Sequence, residues 1–335
     1  MYLQKNKSII LKAGKKAQSS MKKDIKKTFP QILVSGSVSY DNIFSLTTPI
    51  AKQIVLRGGV VGRQNMMFSG NQKEVYLGGT GGNIAYGLSI LGANPTLVSG
   101  AGKDFGEYEK RLKSLGVKNS VFIDRDGYTA MFYGMTDPSK EQIGIFQPNS
   151  YHSIIKNKSL STLLGKKNIK DFSIAIFSPG NANSILKNIV EFRKLGKKDA
   201  FLILDPGQMV KIDFTKKILM DAVSLSDMLI LNEQEAHFIK HEFSITHENL
   251  FEKGLKYFLV TYGNKGSVLY SKNEKIEIPA NLAKKVVDPT GAGDAYRAGL
   301  IYEIARGGTI KDAMKKGSIL GAKCVASPGC QTYKV

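Results

Sequence analysis

The run Asp288-Pro-Thr-Gly-Ala-Gly-Asp-Ala-Tyr-Arg-Ala-Gly-Leu300 sets a turn of small residues directly ahead of an apolar helix and puts one carboxylate, Asp294, in that helix's first turn. Gly291, Ala292 and Gly293 leave their backbone N–H groups sterically open, and a first helical turn carries unpaired donors and the positive end of the dipole. A phosphate fits there. Asp294 would then lie beside the phosphorus, where a carboxylate can accept the proton of an attacking hydroxyl. The same letters also describe a glycine turn before an ordinary helix, because an aspartate is favourable in any first turn.

Two stretches upstream add weight to the first reading. In Gly78-Gly-Thr-Gly-Gly-Asn83-Ile-Ala-Tyr-Gly-Leu-Ser-Ile-Leu-Gly92 the glycines before Asn83 let a ligand approach backbone, while Ile84, Leu88 and Leu91 keep helical spacing. Gly100-Ala-Gly-Lys-Asp-Phe-Gly106 follows after a short strand-like segment. Leu259-Val-Thr-Tyr-Gly-Asn-Lys-Gly-Ser267 reads as a strand entering a glycine turn whose amides suit a nucleotide phosphate, or as a plain β-turn between strands.

In this order the stretches resemble the ribokinase (PfkB) superfamily. Its N-terminal signature is matched by Gly78, Gly79, Gly81, Asn83, Ala85, Gly92 and Gly102, and its C-terminal signature by Asp288 through Leu300. Between them stand an Asn-x-x-Glu element, Asn232-Glu-Gln-Glu235, after the strand-like Met228-Leu-Ile-Leu231, and a Thr-x-Gly element, Thr261-Tyr-Gly263. Within the superfamily the chain is similar to the adenosine-kinase-like branch in Gly36-Ser-Val-Ser-Tyr-Asp41-Asn-Ile, Asp104-Phe-Gly-Glu-Tyr108, Thr136-Asp, Gln142-Ile-Gly-Ile-Phe146 and Asp205-Pro-Gly-Gln208. It departs at Gln147-Pro-Asn-Ser150, where that branch usually has Pro-Gly-Ala-Met, so the acceptor side is where substrate identity is open.

The resemblance implies an ATP-dependent kinase acting on a hydroxymethyl group of a nucleoside, adenosine-like, or of a sugar. It implies Asp294 as base, with the amides of Gly291, Ala292 and Gly293 as the anion hole. Asp41 would accept from the acceptor's ribose hydroxyls, with Gly78, Gly79 and Asn83 beside it; a carboxylate can accept from two neighbouring hydroxyls at once. Phe132, Tyr133 and Phe146 would stack a base, or form the lid's own core. Asn232 and Glu235 look like the pair that organises Mg2+ through water, and equally like a helix N-cap with its box partner. Asp205, at a strand end, would support the same site. Thr261, Gly263 and Gly266 would meet phosphate and ribose, and Gly321 through Gln331, with Lys323 and Cys324, would flank the adenine. Asp288 and Thr290 fall where relatives bind a monovalent cation, so K+ joins ATP and Mg2+ as an expected cofactor.

Outside the motifs, strand-like runs at Gln31–Val34, Thr96–Ser99, Ile174–Phe177, Phe201–Leu204, Met228–Leu231 and Lys256–Val260 alternate with helical runs at Ile84–Leu91, Tyr108–Leu115, Ser184–Leu195 and Ala292–Ala305. Such alternation predicts an α/β fold with a mainly parallel sheet covered on both faces. The resemblance makes this a ribokinase-like three-layer sandwich over residues 30–335. Segments 41–77 and 127–150 break the rhythm with β-branched, aromatic and glycine residues, and read as a small β-sheet lid that excludes water.

The chain carries 48 Lys+Arg against 28 Asp+Glu, a net charge of +20. Nine of the lysines crowd residues 1–29 against the single Asp24, and the rest are spread without the aromatic interleaving of single-strand binders, so neither nucleic acid nor membrane is expected as partner. The basic segment reads as a disordered tail, or as an extension upstream of a start at Met21, with neither secretory nor transit character. No apolar run approaches the roughly 18 residues of a membrane span. With Cys324 and Cys330 alone there is no disulfide framework or zinc spacing, and the expected setting is cytoplasmic. His237 and His241 share a helix face without further ligands. A monomer or homodimer is expected. The competing readings are a sugar kinase of the same fold and a non-catalytic ligand-binding homologue.

Overall fold

In the computed structural model the described residues are 29–53, 56–57, 60–61, 67–139, 141–165 and 167–335, and the lysine-rich segment up to residue 28 lies outside them. From edge to edge the main sheet runs β15 (Lys275–Ile278), β14 (Ser267–Tyr270), β13 (Tyr257–Thr261), β12 (Met228–Asn232), β11 (Phe201–Leu204), β10 (Phe172–Phe177), β1 (Gln31–Ser35), β6 (Thr96–Gly102) and β7 (Lys118–Asp124). The seven from β13 to β7 are parallel, and β14 and β15 close one edge antiparallel. The expected parallel sheet is present, extended by β7, β14 and β15.

Alternate strand residues enter two cores, as a pleat requires. Leu33, Phe177, Leu204 and Leu231 join Ile189, Phe192, Leu219 and Ile239 in one apolar cluster. Ile32, Val34, Ile176, Ile203 and Ile230 are as deeply buried, on the other face. A sheet covered on both faces must read as near-continuous apolar runs, which is why these strands lack polar alternation.

A second sheet joins β5 (Gly70–Gly78), β2 (Ser39–Leu46), β8 (Ala130–Thr136) and β9 (Gln142–Gln147) in that order. Its strands come from the two segments expected to form the lid, and the short pair Leu56–Arg57 and Val60–Val61 stands apart from it. Two details differ from an all-β lid. Ile50–Gln53 forms a 3-10 turn, and the helix Asn149–Asn157 starts inside the second segment, burying Tyr151, Ile154 and Ile155 along one stripe.

Three helices bring the distant motifs together. Gly87 of the helix Thr80–Ile90 lies so close to Ala298 of the helix Ala292–Ala305 that a Cβ on the glycine would stand 2.6 Å from the alanine's. Gly299 in turn meets the backbone of Lys316 in the helix Ile310–Val325. Small residues at these crossings set the two glycine-led helix starts side by side.

Candidate active site

The helix Ala292–Ala305 begins at Gly291, whose φ of 76° is left-handed and favours glycine, and no side chain caps its first turn. A Cβ at Gly291 would also press on Cys330 Sγ, 2.6 Å away. The helix Thr80–Ile90 likewise starts at a glycine of positive φ, Gly79 at 86°, but Ser37 meets its first amides, with Oγ accepting from Thr80 N at 3.2 Å and the backbone carbonyl from Gly82 N at 3.0 Å. Two helix N-termini thus border one cavity of about 510 Å³.

Asp41, Gly79, Asn83, Phe132, Phe146, Thr290, Gly291 and Asp294 all line this cavity. Asn83 Nδ2 donates to Asp294 Oδ2 at 2.9 Å. Burial pushes the Asp294 carboxyl up to about 7, against the opposing pull of Arg297 and the Asn83 bond, with Asp205 and Asp41 adding to the rise. Asp294 keeps part of its surface open to the cavity, while protein surrounds it on its other sides. A carboxylate that gains its proton near neutrality is suited to take one from a hydroxyl at that pH.

Asp41 on β2 is buried, accepts from Ser39 Oγ at 2.7 Å, and is pushed up to about 6 by burial, against that bond and aided by Asp288. Its carboxylate lies where a Cβ on Gly78 would overlap it, so Gly78 serves by having no side chain. Phe132 and Phe146 are opposed on β8 and β9, and the Phe132 ring covers Gly144.

The other expected site residues lie outside that cavity lining. Asn232 and Glu235 form a reciprocal capping box: Glu235 accepts from Asn232 N and Nδ2 at 2.9 and 2.8 Å and donates its own N–H to Asn232 Oδ1 at 2.8 Å. With both Glu235 oxygens so engaged, the pair suits contact with a water-clad cation better than direct ligation. Among the described residues no cluster of three or more His, Cys, Asp or Glu side chains could hold a metal ion. Asn232 and Thr261 are register partners at the C-terminal ends of β12 and β13, the edge where open α/β sheets take ligands. Gly263 (φ 57°) and Gly266 (φ 106°) shape the turn that follows. Asp288 accepts from Thr290 N at 2.9 Å and Gly329 N at 3.0 Å, while Thr290 Oγ1 is buried without a partner, an orphan oxygen that fits a cation's coordination shell. Lys323 is exposed, whereas Cys324 is buried with its thiol on Thr290 O at 3.5 Å. The His237 and His241 rings lie side by side, centroids 4.0 Å apart and planes tilted by 34°.

Several residues escaped the sequence reading. Ser37, Ser39, Tyr151, His152, Asn181 and Gln208 also line the cavity. Arg297 is buried under the site, donating to Asp205 Oδ1 at 2.6 Å and to Gly293 O at 3.0 Å. Burial opposes its charge, but the Asp205 carboxylate holds it protonated. A charged residue set directly before the apolar run Ala298–Ile301 was the available signal. Asp205 therefore anchors Arg297 beneath Asp294. Truncating Arg297 to Ala would strand Asp205 as a buried unpaired charge, and chemical denaturation is expected to show a loss of about 3–5 kcal/mol.

The fold and the sequence both have counterparts among known proteins. The family model described as pfkB family carbohydrate kinase matches residues 54–334. A nucleoside kinase of Methanocaldococcus jannaschii is 31% identical over 264 residues, 77% of this chain and 82% of that protein. The solved structure of Burkholderia thailandensis nucleoside kinase in complex with inosine superposes with a TM-score of 0.78 at 27% identity, covering 90% of this chain and 93% of that one. The same enzyme in complex with ADP-inosine gives a TM-score of 0.77 at 28% identity, over 91% and 92% of the two chains.

Proposed function

Since the chain belongs to the pfkB family of carbohydrate kinases, and is thereby a phosphotransferase to an alcohol group, we propose that it transfers the γ-phosphate of ATP to the 5′-hydroxyl of a nucleoside. The observation that carries this reading is the placement of Asp294 and Asp41 in one cavity, with the uncapped N-terminus of the helix Ala292–Ala305 beside them and Phe132 and Phe146 in the wall. Asp294 takes the hydroxyl proton, and the amides of Gly291, Ala292, Gly293 and Asp294 receive the phosphoryl oxygens. Asp41 holds the ribose hydroxyls. Thr261, Gly263, Gly266 and Lys323 meet the nucleotide. Magnesium would neutralise phosphate charge, with Asn232 and Glu235 holding its waters, and Asp288 with Thr290 would hold K+. A cytoplasmic location, where ATP is plentiful, goes with this reading.

Inosine and adenosine are the first acceptors to try, because the relative in complex with inosine shares the fold and 27% of its residues. A panel of nucleosides, ribose and fructose, read by ADP release, should favour the nucleosides. Turnover of sugars alone would make this a sugar kinase; turnover of none would make it a ligand-binding homologue. Phe146→Ala should raise KM for the nucleoside by about 2–10-fold, the worth of one ring contact, and leave residual sugar turnover unmoved.

A further inference from the structure

Only one end of the Asn83 amide suits a base. With Nδ2 toward Asp294 it donates to the carboxylate and favours the ionised form; with Oδ1 there, the oxygens repel unless Asp294 holds a proton. The two ends are alike in shape, so the neighbours must choose. They do so through a chain of hydrogen bonds with one fixed end. The Gly78 carbonyl can only accept, so the Tyr108 hydroxyl donates to it at 2.7 Å. Tyr108 Oη then has only lone pairs left, and Gln331 must present Nε2 to it. The other proton of that nitrogen goes to Asn83 Oδ1 at 3.0 Å. Asn83 Nδ2 is thereby left for Asp294. Asn83, Tyr108 and Gln331 are all buried, so bulk water is not at hand to reset the polarity. Gln331 Oε1 is itself buried without a partner, so the amide is held by its two Nε2 donor bonds alone, and those bonds fix which way it faces.

We infer that Gln331 is a positioning residue, which passes the polarity of the Gly78 carbonyl through Tyr108 to Asn83 so that an N–H group faces Asp294. Gln331 belongs to a stretch expected to flank the adenine, and its side chain instead serves the acceptor side. The inference rests on the kinase reading of Asp294. Arg297 on the same helix, Asp205 after β11, Asp41 on β2, and Cys324, Cys330 and Tyr333 of the C-terminal segment also face Asp294. All six stay chemically unchanged when the chain is cut, so a moved titration reports the chain.

Gln331→Leu removes the link, and Tyr108→Phe removes its anchor while keeping the ring beside Tyr40 and Phe105. For both variants and the wild type, kcat is measured across pH, and the Asp294 carboxyl is titrated by carbon-13 NMR, with its resonance assigned through Asp294→Asn. The acid limb and the carboxyl titration should move upward together by about one pH unit, a roughly tenfold loss of rate below the limb, with the alkaline plateau kept. Losses parallel at every pH, or a carboxyl that titrates as in the wild type, overturn the inference. A wild type inactive at every pH would overturn the kinase reading instead, while the carboxyl titration, which needs no turnover, still decides the wiring. Should Gln331→Leu not fold, Tyr108→Phe decides on the same two readouts.

Discussion

Asp294→Asn is expected to lower kcat by about 10²–10⁴-fold, the range spanned by a positioned general base. ATP affinity, measured by calorimetry without acceptor, should hold, because the amides of Gly291 to Gly293 remain. Near-normal turnover would remove Asp294 from the role of base. The wild-type rate should climb as pH rises through about 7, where the carboxyl loses its proton. Stability must run the other way. The folded-state value lies above the ordinary 3.8, so the folded form holds this proton more tightly than the unfolded chain does. The stabilisation is complete below pH 3.8 and disappears as pH rises through about 7. Asparagine never ionises. The variant's Tm, relative to wild type, should therefore be higher at pH 8 than at pH 5, by roughly 2–5 °C. A loss of activity without that thermal signature would mean that Asp294 is not the raised carboxyl.

Asp41→Ala should cost kcat/KM for the acceptor roughly 10²-fold or more, since each hydrogen bond to a charged group contributes about 1.5–3 kcal/mol. ATP binding should stay within experimental error. Because Asp41 takes up its proton near pH 6, acceptor affinity should weaken as pH falls through that value. Isothermal titration of the non-reacting pair, acceptor with enzyme alone, separates this effect from the Asp294 limb. An unchanged acceptor affinity in the variant would place the ribose elsewhere.

The strand runs were legible because a parallel sheet buried on both faces needs β-branched and apolar residues at nearly every position. Phe201–Leu204 and Ala292–Ala305 fall where periodicity placed them, and Gln31–Val34 gains only Ser35. The lid was legible as the loss of helical spacing. Its closing helix, Asn149–Asn157, was not, because Pro148 and Asn149 read as a turn and the Tyr151, Ile154, Ile155 stripe is short. In the site, the residues carried by local motifs, Asn83, Asp41 and Asp294, meet in one cavity. Those that act through distant partners left no local trace. Asn83 and Gln331 are separated by 248 residues, and Tyr108 and Gln331 by 223, so neither period nor spacing could join them. Arg297 was visible only as a charge out of place, and its reason, Asp205, stands 92 positions away.

The helix Thr80–Ile90 is finished, in contact terms, by the far end of the sequence: Tyr86 Oη donates to Tyr333 O at 2.6 Å and its ring meets Tyr333 edge-on at 5.2 Å. Chains emerge from the ribosome N-terminus first, and their early portions begin to fold before the last are made. A nascent form of this protein can therefore complete much of its sheet while Asn83 still lacks Gln331. Throughout that interval the amide beside Asp294 is free to turn either way. The polarity of that amide is then fixed late, when residues 331–333 dock against a helix already made.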